Sequence, residues 1–346
     1  MKMVKILKTS FLVLAFFPQF LLSADIQSLK GSDHLALPVE INESEYGSGP
    51  LLHPGRTFYV SVKGDDNGDG LAWDTAWRSL KHGVSRLMPG DTLLIGEGEY
   101  IEPGLAIKCS GEAGRPITIS SAPGHRVLIS GFVHPGPLEK TPGTSCTYEV
   151  SHKLPAGTSP ESAGVWEEPA FIKLENAGTL KRVEELPGTF FCDGKEGKIY
   201  VRFSDSGGPE KNRLAVTPQK VSGRRDIYQQ PGRAPVELTG SYVCLRGLHF
   251  RGGFAALAVF ECSNSTVEEC SFFATDYAGL SLWRRTNRLL IRNNYAIRNG
   301  IRGGIILDKT GRPQNVDSDT LIIGNRVDSS APTQRTAGVP VYFAIR

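Results

Sequence analysis

Near the carboxyl-terminal end of this 346-residue sequence, side chains of complementary chemistry recur at nearly even intervals. Phe260, Trp283 and Asp308 each follow a pair of alternating apolar residues; Glu261, Arg284 and Lys309 come directly after them, and Arg285 adds a further cation. Brought side by side, these residues make a strip of aromatic, cationic and carboxylate groups. Such a strip suits an anionic sugar chain, because an indole face stacks on the C–H groups of a pyranose ring and guanidiniums hold uronate carboxylates through two hydrogen bonds. Lys309, beside two guanidiniums that favour its neutral form, is the candidate base. Arg284 and Arg285 are candidate carboxylate ligands, Trp283, Glu261 and Asp276 are candidate substrate contacts, and Asp308 or Asp276 could hold a Ca2+ that bridges to the sugar. The same residues also fit a solvated face with ion pairs between repeats, such as Glu261 with Arg284, each worth ~0–1 kcal/mol. Register alone carries these assignments, not a motif.

The elements that would position the strip are legible as a repeat. Val243-Leu245-Leu248-Phe250, Ser265-Val267-Cys270-Phe272, Leu289-Ile291-Asn294-Ala296 and Thr320-Ile322-Asn325-Val327 share one internal spacing. A second strand keeps the beat at Leu257/Val259, Leu280/Leu282 and Ile305/Leu307. Short strands returning every two dozen residues or so are the signature of a solenoid, whose coils stack ~4.8 Å apart because one coil cannot bury its own apolar face. Asn294 and Asn325 then share a column with Cys270, where amides can bond from coil to coil. Residues 236–346 hold 12 Arg and one Lys against nine acidic residues, a net of +4, which mildly favours an acidic ligand.

Upstream, residues 1–24 read as an export signal, with Lys2, Lys5 and Lys8 before an apolar run over 11–22 and small residues at Ser23 and Ala24. That run is too short to span a bilayer, so a secreted or periplasmic monomer without a membrane anchor is expected. With those lysines removed the formal charge of +3 vanishes, which argues against a nucleic-acid binder. Residues 25–56 form a leader, and 57–131 begin the ordered domain with a strand at Phe58 and Val60 and a helix over 74–87. Residues 132–235 read as a β-rich insertion containing a hairpin at 189–203. Asp65, Asn67 and Asp69 match half of a Ca2+ loop, but Ala76 stands where a bidentate Glu is required, so an Asx turn is expected. The six cysteines are sparse enough to be buried thiols, and the His spacing predicts no zinc site.

Phe58-Tyr59-Val60-Ser61, the 64–70 turn, Trp73 to Leu80 and Pro89-Gly90-Asp91-Thr92-Leu93-Leu94-Ile95 with Gly98-Glu99-Tyr100 resemble the amino-terminal cap of secreted right-handed parallel β-helix proteins of the pectate-lyase-like superfamily. The repeats over 236–327 resemble their coils. The resemblance implies an all-β solenoid acting on polysaccharide, and it covers lyases, glycoside hydrolases, epimerases and adhesins alike. A polysaccharide lyase acting on a uronate-containing chain is the leading expectation. A hydrolase would need facing carboxylates, for which Asp276 with Asp308, or Glu261 with Asp308, are the available pairs, and the paired-Asp and Gly-His-Gly patterns of polygalacturonases are absent. Relatives of this type continue for further coils, so more chain is expected beyond the strand-like 339–346.

Overall fold

A computed structural model describes residues 42–153, 164–217, 234–283, 285–299, 303–307 and 319–328. Apart from Asn42, these belong to one compact unit, Glu43–Arg346. The expected export signal and most of the leader lie outside the described residues, as do 339–346. No helix among the described residues is long and apolar enough to cross a membrane.

Three parallel sheets wind around one core. The first face carries strands Thr57–Val60, Thr92–Ile95, Ile117–Ser121, Val243–Arg246, Thr266–Glu268, Leu290–Arg292 and Leu321–Ile323. The second runs through Gly98–Ile101, Val127–Ser130, Leu248–Arg251, Ser271–Thr275, Tyr295–Asn299 and Arg326–Asp328, and the third through Leu105–Ile107, Val236–Leu238, Ala255–Phe260, Ala278–Trp283 and Gly303–Leu307. Thr57–Val60 adds to the first face alone and the last described coil to the first two faces, while every coil between contributes one strand to each face, which is the parallel β-helix that the shared spacing of the repeats predicts.

Alternation fixes which side chains point inward. Phe58, Leu93, Ile119, Leu245, Val267, Ile291 and Ile322 occupy one register column across the whole first face. On the second face Phe250 stacks on Phe272, with ring centroids 5.5 Å apart and planes 13° from parallel. These columns form one continuous apolar core.

The corner between the first and second faces shows how the coil turns. Gly247, Glu269, Asn293 and Gly324 each adopt a left-handed conformation, with φ of 65°, 56°, 54° and 65°. The residues that follow build a ladder. Asn294 Oδ1 accepts from the Cys270 amide at 2.9 Å, its Nδ2 donates to the Val267 carbonyl and to Asn325 Oδ1, and Asn325 Oδ1 also accepts from the Asn294 amide. Backbone groups that the turn would strand inside the core are thereby satisfied.

The amino-terminal helix is shorter than its apolar spacing suggests. Residues Trp73–Thr75 form a single 3-10 turn and the α-helix spans only Leu80–Val84. Trp77 belongs instead to the edge of the first face, where its amide donates to the Tyr59 carbonyl and its carbonyl accepts from Ser61. Ser79 then caps the helix through His82. The Asp-rich turn is held by its own carboxylates: Asp65 accepts from the Asn67 amide, Asp69 from Leu71, and Asp66 from Arg78 and Ser79.

Between Val127–Ser130 and Val236–Leu238 the chain leaves the coil, and on its return Val236–Leu238 pairs with Leu105–Ile107 of the coil before. The excursion builds two sheets, an antiparallel one from Ile172–Lys173, Val165–Glu168 and Arg213–Val216, and a mixed one from Glu139–Lys140, Tyr148–Ser151, Glu175–Asn176, Thr189–Asp193 and Lys198–Arg202, in which Glu175–Asn176 pairs in parallel with Thr189–Asp193. They share a separate apolar cluster that includes Phe190, Val201 and Phe203. This inserted subdomain sits at the corner between the second and third faces.

Candidate functional site

The subdomain docks on the coil through side chains that its sheet register aligns. Trp166 and Phe132 pack together with Ala274, and Phe171 meets Phe273 edge-on at 5.5 Å. Glu168 ends one strand and Arg213 is its direct cross-strand partner. Arg251 ends the second-face strand Leu248–Arg251, and Glu99 points outward from Gly98–Ile101.

These residues form one charged network. Glu168 Oε2 accepts from Arg213 Nε at 2.8 Å and lies 3.0 Å from His134 Nε2, while its Oε1 accepts from Arg251 Nη1 at 2.6 Å. Arg251 also bonds Glu99, and its Nε donates to Ser130 Oγ at 3.1 Å. Its guanidinium lies 5.5 Å from the Phe132 ring and 5.3 Å from the Phe171 ring, which desolvate it and attract its charge. Burial would raise the Glu168 pKa, but His134, Arg251 and Arg213 together outweigh it and hold the carboxyl at about 2. With a side chain only 5% exposed and every oxygen engaged, Glu168 is a fixed anion and cannot serve as a proton donor near neutrality.

Above this network lies a cleft of about 380 Å³. Pro169, Phe171 and Pro209 give it an apolar wall, and Lys211 and Arg213 stand at its rim. The Arg213 side chain is 57% exposed, so the part of its fork not spent on Glu168 is open to solvent. The arrangement offers a ring-stacking surface beside cations that an internal carboxylate holds in place, which is chemistry for binding an anionic sugar.

Asp276 lies at the same junction. Lys173 Nζ sits 2.7 Å from its Oδ1, and Arg298 donates to the Ala170 carbonyl at 2.9 Å, so the 166–173 segment is fastened to the coil at its middle and at its carboxyl-terminal end. Lys173 thus supplies a counter-charge to the Asp276 carboxylate, and Asp308, the other residue considered for Ca2+, lies outside the described residues. Among the described residues no three His, Cys, Asp or Glu side chains gather to hold a metal.

The remaining sequence-derived residues divide. Trp283 closes the strand Ala278–Trp283 and pairs in register with Phe260. Glu261 and Arg285 take equivalent left-handed corner positions, φ 52° and 49°, and meet at 3.5 Å as an exposed ion pair. The step from Glu261 to Arg285 is 24 residues, one more than the step from Phe260 to Trp283, and the notional pair of Glu261 with Arg284 falls outside the described residues. Arg284, Asp308 and Lys309 lie outside the described residues. The junction network itself escaped sequence reasoning: Arg251 stands 83 residues from Glu168 and 152 from Glu99. The one signal was a cation placed directly after an inward Phe250, at the mouth of the insertion.

Comparison with known proteins agrees with this architecture. A family model described as "Right handed beta helix region" matches residues 218–341. A Bacillus subtilis (strain 168) protein, "Uncharacterized protein YwoF", is 38% identical over 88 residues, 25% of this chain, and the match spans only 17% of that relative. A solved glycoside hydrolase structure superposes with a TM-score of 0.54 at 11% identity, covering 75% of this chain and 69% of that one. XylC in complex with xylose gives 0.46 at 12% identity over 78% and 62% of the two chains. The chain therefore folds as a right-handed parallel β-helix.

Proposed function

We propose that this protein is an exported carbohydrate-active enzyme that binds a uronate-containing polysaccharide at the subdomain junction and cleaves it by β-elimination. The observation that carries the reading is the cleft above Glu168, where Phe171 and two prolines flank the exposed cations Lys211 and Arg213. Phe171 supports a sugar ring and the two cations neutralise its carboxylate, which makes the α-proton acidic. In the elimination a base removes that proton, its electrons form the ring double bond, the glycosidic C–O bond breaks, and the departing oxygen takes a proton from solvent or an acid. Trp283 and Arg285 end the third face on the side away from the junction, so there they make a separate candidate subsite, with Lys309 as its proposed base and Arg284 as its further carboxylate ligand.

The glycoside hydrolase with the same fold motivates hydrolysis as the second reading. Against it, the Glu99 and Glu168 carboxylates share one guanidinium, and Glu168, at about 2, is far from the raised pKa that an acid catalyst requires.

Incubation with pectate, alginate and glycosaminoglycans separates the readings. Ultraviolet absorbance of an unsaturated uronate that rises with reducing ends is expected. Reducing ends without absorbance would eliminate elimination chemistry, and retained binding with neither signal would make the protein a non-catalytic sugar binder. Full activity in Lys309→Ala would remove the base assignment.

A further inference from the structure

We infer that the first face carries a second binding site, separate from the junction cleft, for the carboxylates of a linear acidic oligosaccharide lying along the solenoid axis. On this face Arg246, Glu268 and Arg292 occupy one outward register column on three successive coils. Glu268, its side chain 2% exposed, is clasped from both sides: by Arg246, and by Arg292 Nε and Nη2, each at 2.7 Å. Burial would raise the Glu268 pKa, but the two guanidiniums pull it below its ordinary value. The buried anion therefore fixes two arginines whose outer surfaces stay in solvent, Arg246 being 52% exposed.

A cavity of about 610 Å³ opens over this column. Its floor includes Thr92 and Thr118, from the adjoining outward column, and its far wall is the segment that precedes the first strand. That segment lies across the face through specific contacts. Ser48 N donates to Thr266 Oγ1 at 2.9 Å, Arg288 bonds the Glu45 carbonyl at 2.5 Å, and the Glu43 carboxylate lies 3.3 Å from Arg292 Nη1. Gly47, with φ of 76°, passes so close that a Cβ would stand 2.3 Å from Thr266 Oγ1.

The chemistry of the occupant follows. Glu268 is saturated, so the free hydrogen-bonding capacity of the two guanidiniums faces the cavity and asks for an anion. Glu43 supplies one from the chain itself, in an exposed pair weak enough for a ligand carboxylate to replace. Arg246 and Arg292 stand two coil repeats apart, ~9.6 Å, on the order of a disaccharide's length. Thr118 and Thr92, on the two coils before that of Arg246, add hydroxyls beside the arginines that suit sugar hydroxyls, which a purely charged peptide does not offer.

The test is titration calorimetry at low salt on the full chain carrying Lys211→Ala and Arg213→Ala, which disables the junction cleft, with hexagalacturonate as probe and poly-glutamate as control. Binding of the sugar and not the peptide is expected. In that background Glu43→Gln should tighten binding about two- to five-fold by removing the competing carboxylate, and Arg246→Gln should weaken it at least about ten-fold. Should Arg246→Gln fail to fold because Glu268 loses a partner, the exposed Glu43→Gln carries the test alone. No binding in the cleft-disabled protein, equal binding of poly-glutamate, or an unchanged affinity in Glu43→Gln would each overturn the proposal. None of these outcomes bears on product formation, so the site and the proposed catalysis fail or stand separately.

Discussion

Replacing Glu168 by Gln keeps the shape of the junction and removes its central charge. In the folded protein this carboxyl is held at about 2 against an ordinary value of 4.5. At 1.36 kcal/mol per pH unit the difference corresponds to roughly 3 kcal/mol of stability. Because the folded-state value is depressed, the unfolded chain binds the proton more tightly. The contribution is therefore complete above pH 4.5 and disappears as the pH falls from 4.5 towards 2. Arg251, Arg213 and His134 are the charged or titratable groups facing the carboxylate, and in the variant they face a neutral amide instead. Urea unfolding of both proteins between pH 7 and pH 2 should show the variant less stable by roughly 3 kcal/mol at pH 7, with the gap closing through the acid window. A gap under about 1 kcal/mol at pH 7, or one of constant size across that window, would refute the argument that these cations stabilise an ionised Glu168.

Other outcomes follow from the coil itself. Asn294→Ala leaves the Cys270 amide and the Val267 carbonyl unsatisfied inside the corner, and should cost about 2–4 kcal/mol in a denaturant titration. Phe272→Ala removes one member of the stacked Phe250–Phe272 column and should cost about 3–5 kcal/mol by the same measurement, since neighbouring coils cannot collapse into the gap. All six cysteines are free thiols, and burial pushes those of Cys192, Cys244, Cys262 and Cys270 up to about 12. A thiol reagent should accordingly label these four only after unfolding, as read by mass spectrometry.

The sequence by itself determined the coil. Inward columns such as Leu245, Val267, Ile291 and Ile322 recur in it at a spacing that only a stacked solenoid can bury together, and Asn294 and Asn325 fall on the one position where an amide can replace lost backbone partners. It also put Glu261 and Arg285 on one surface strip, and in the fold the two meet as an ion pair. The repeat says nothing of what the insertion touches. Only the tertiary structure decided that Glu168, far along the chain in an irregular stretch, would enter the network of Arg251 and Glu99, because that contact depends on where the subdomain sheet lands on the coil. Short-range periodicity reports which side chains share a face, whereas a cleft between two packed units is set by docking, and docking leaves no period in the sequence.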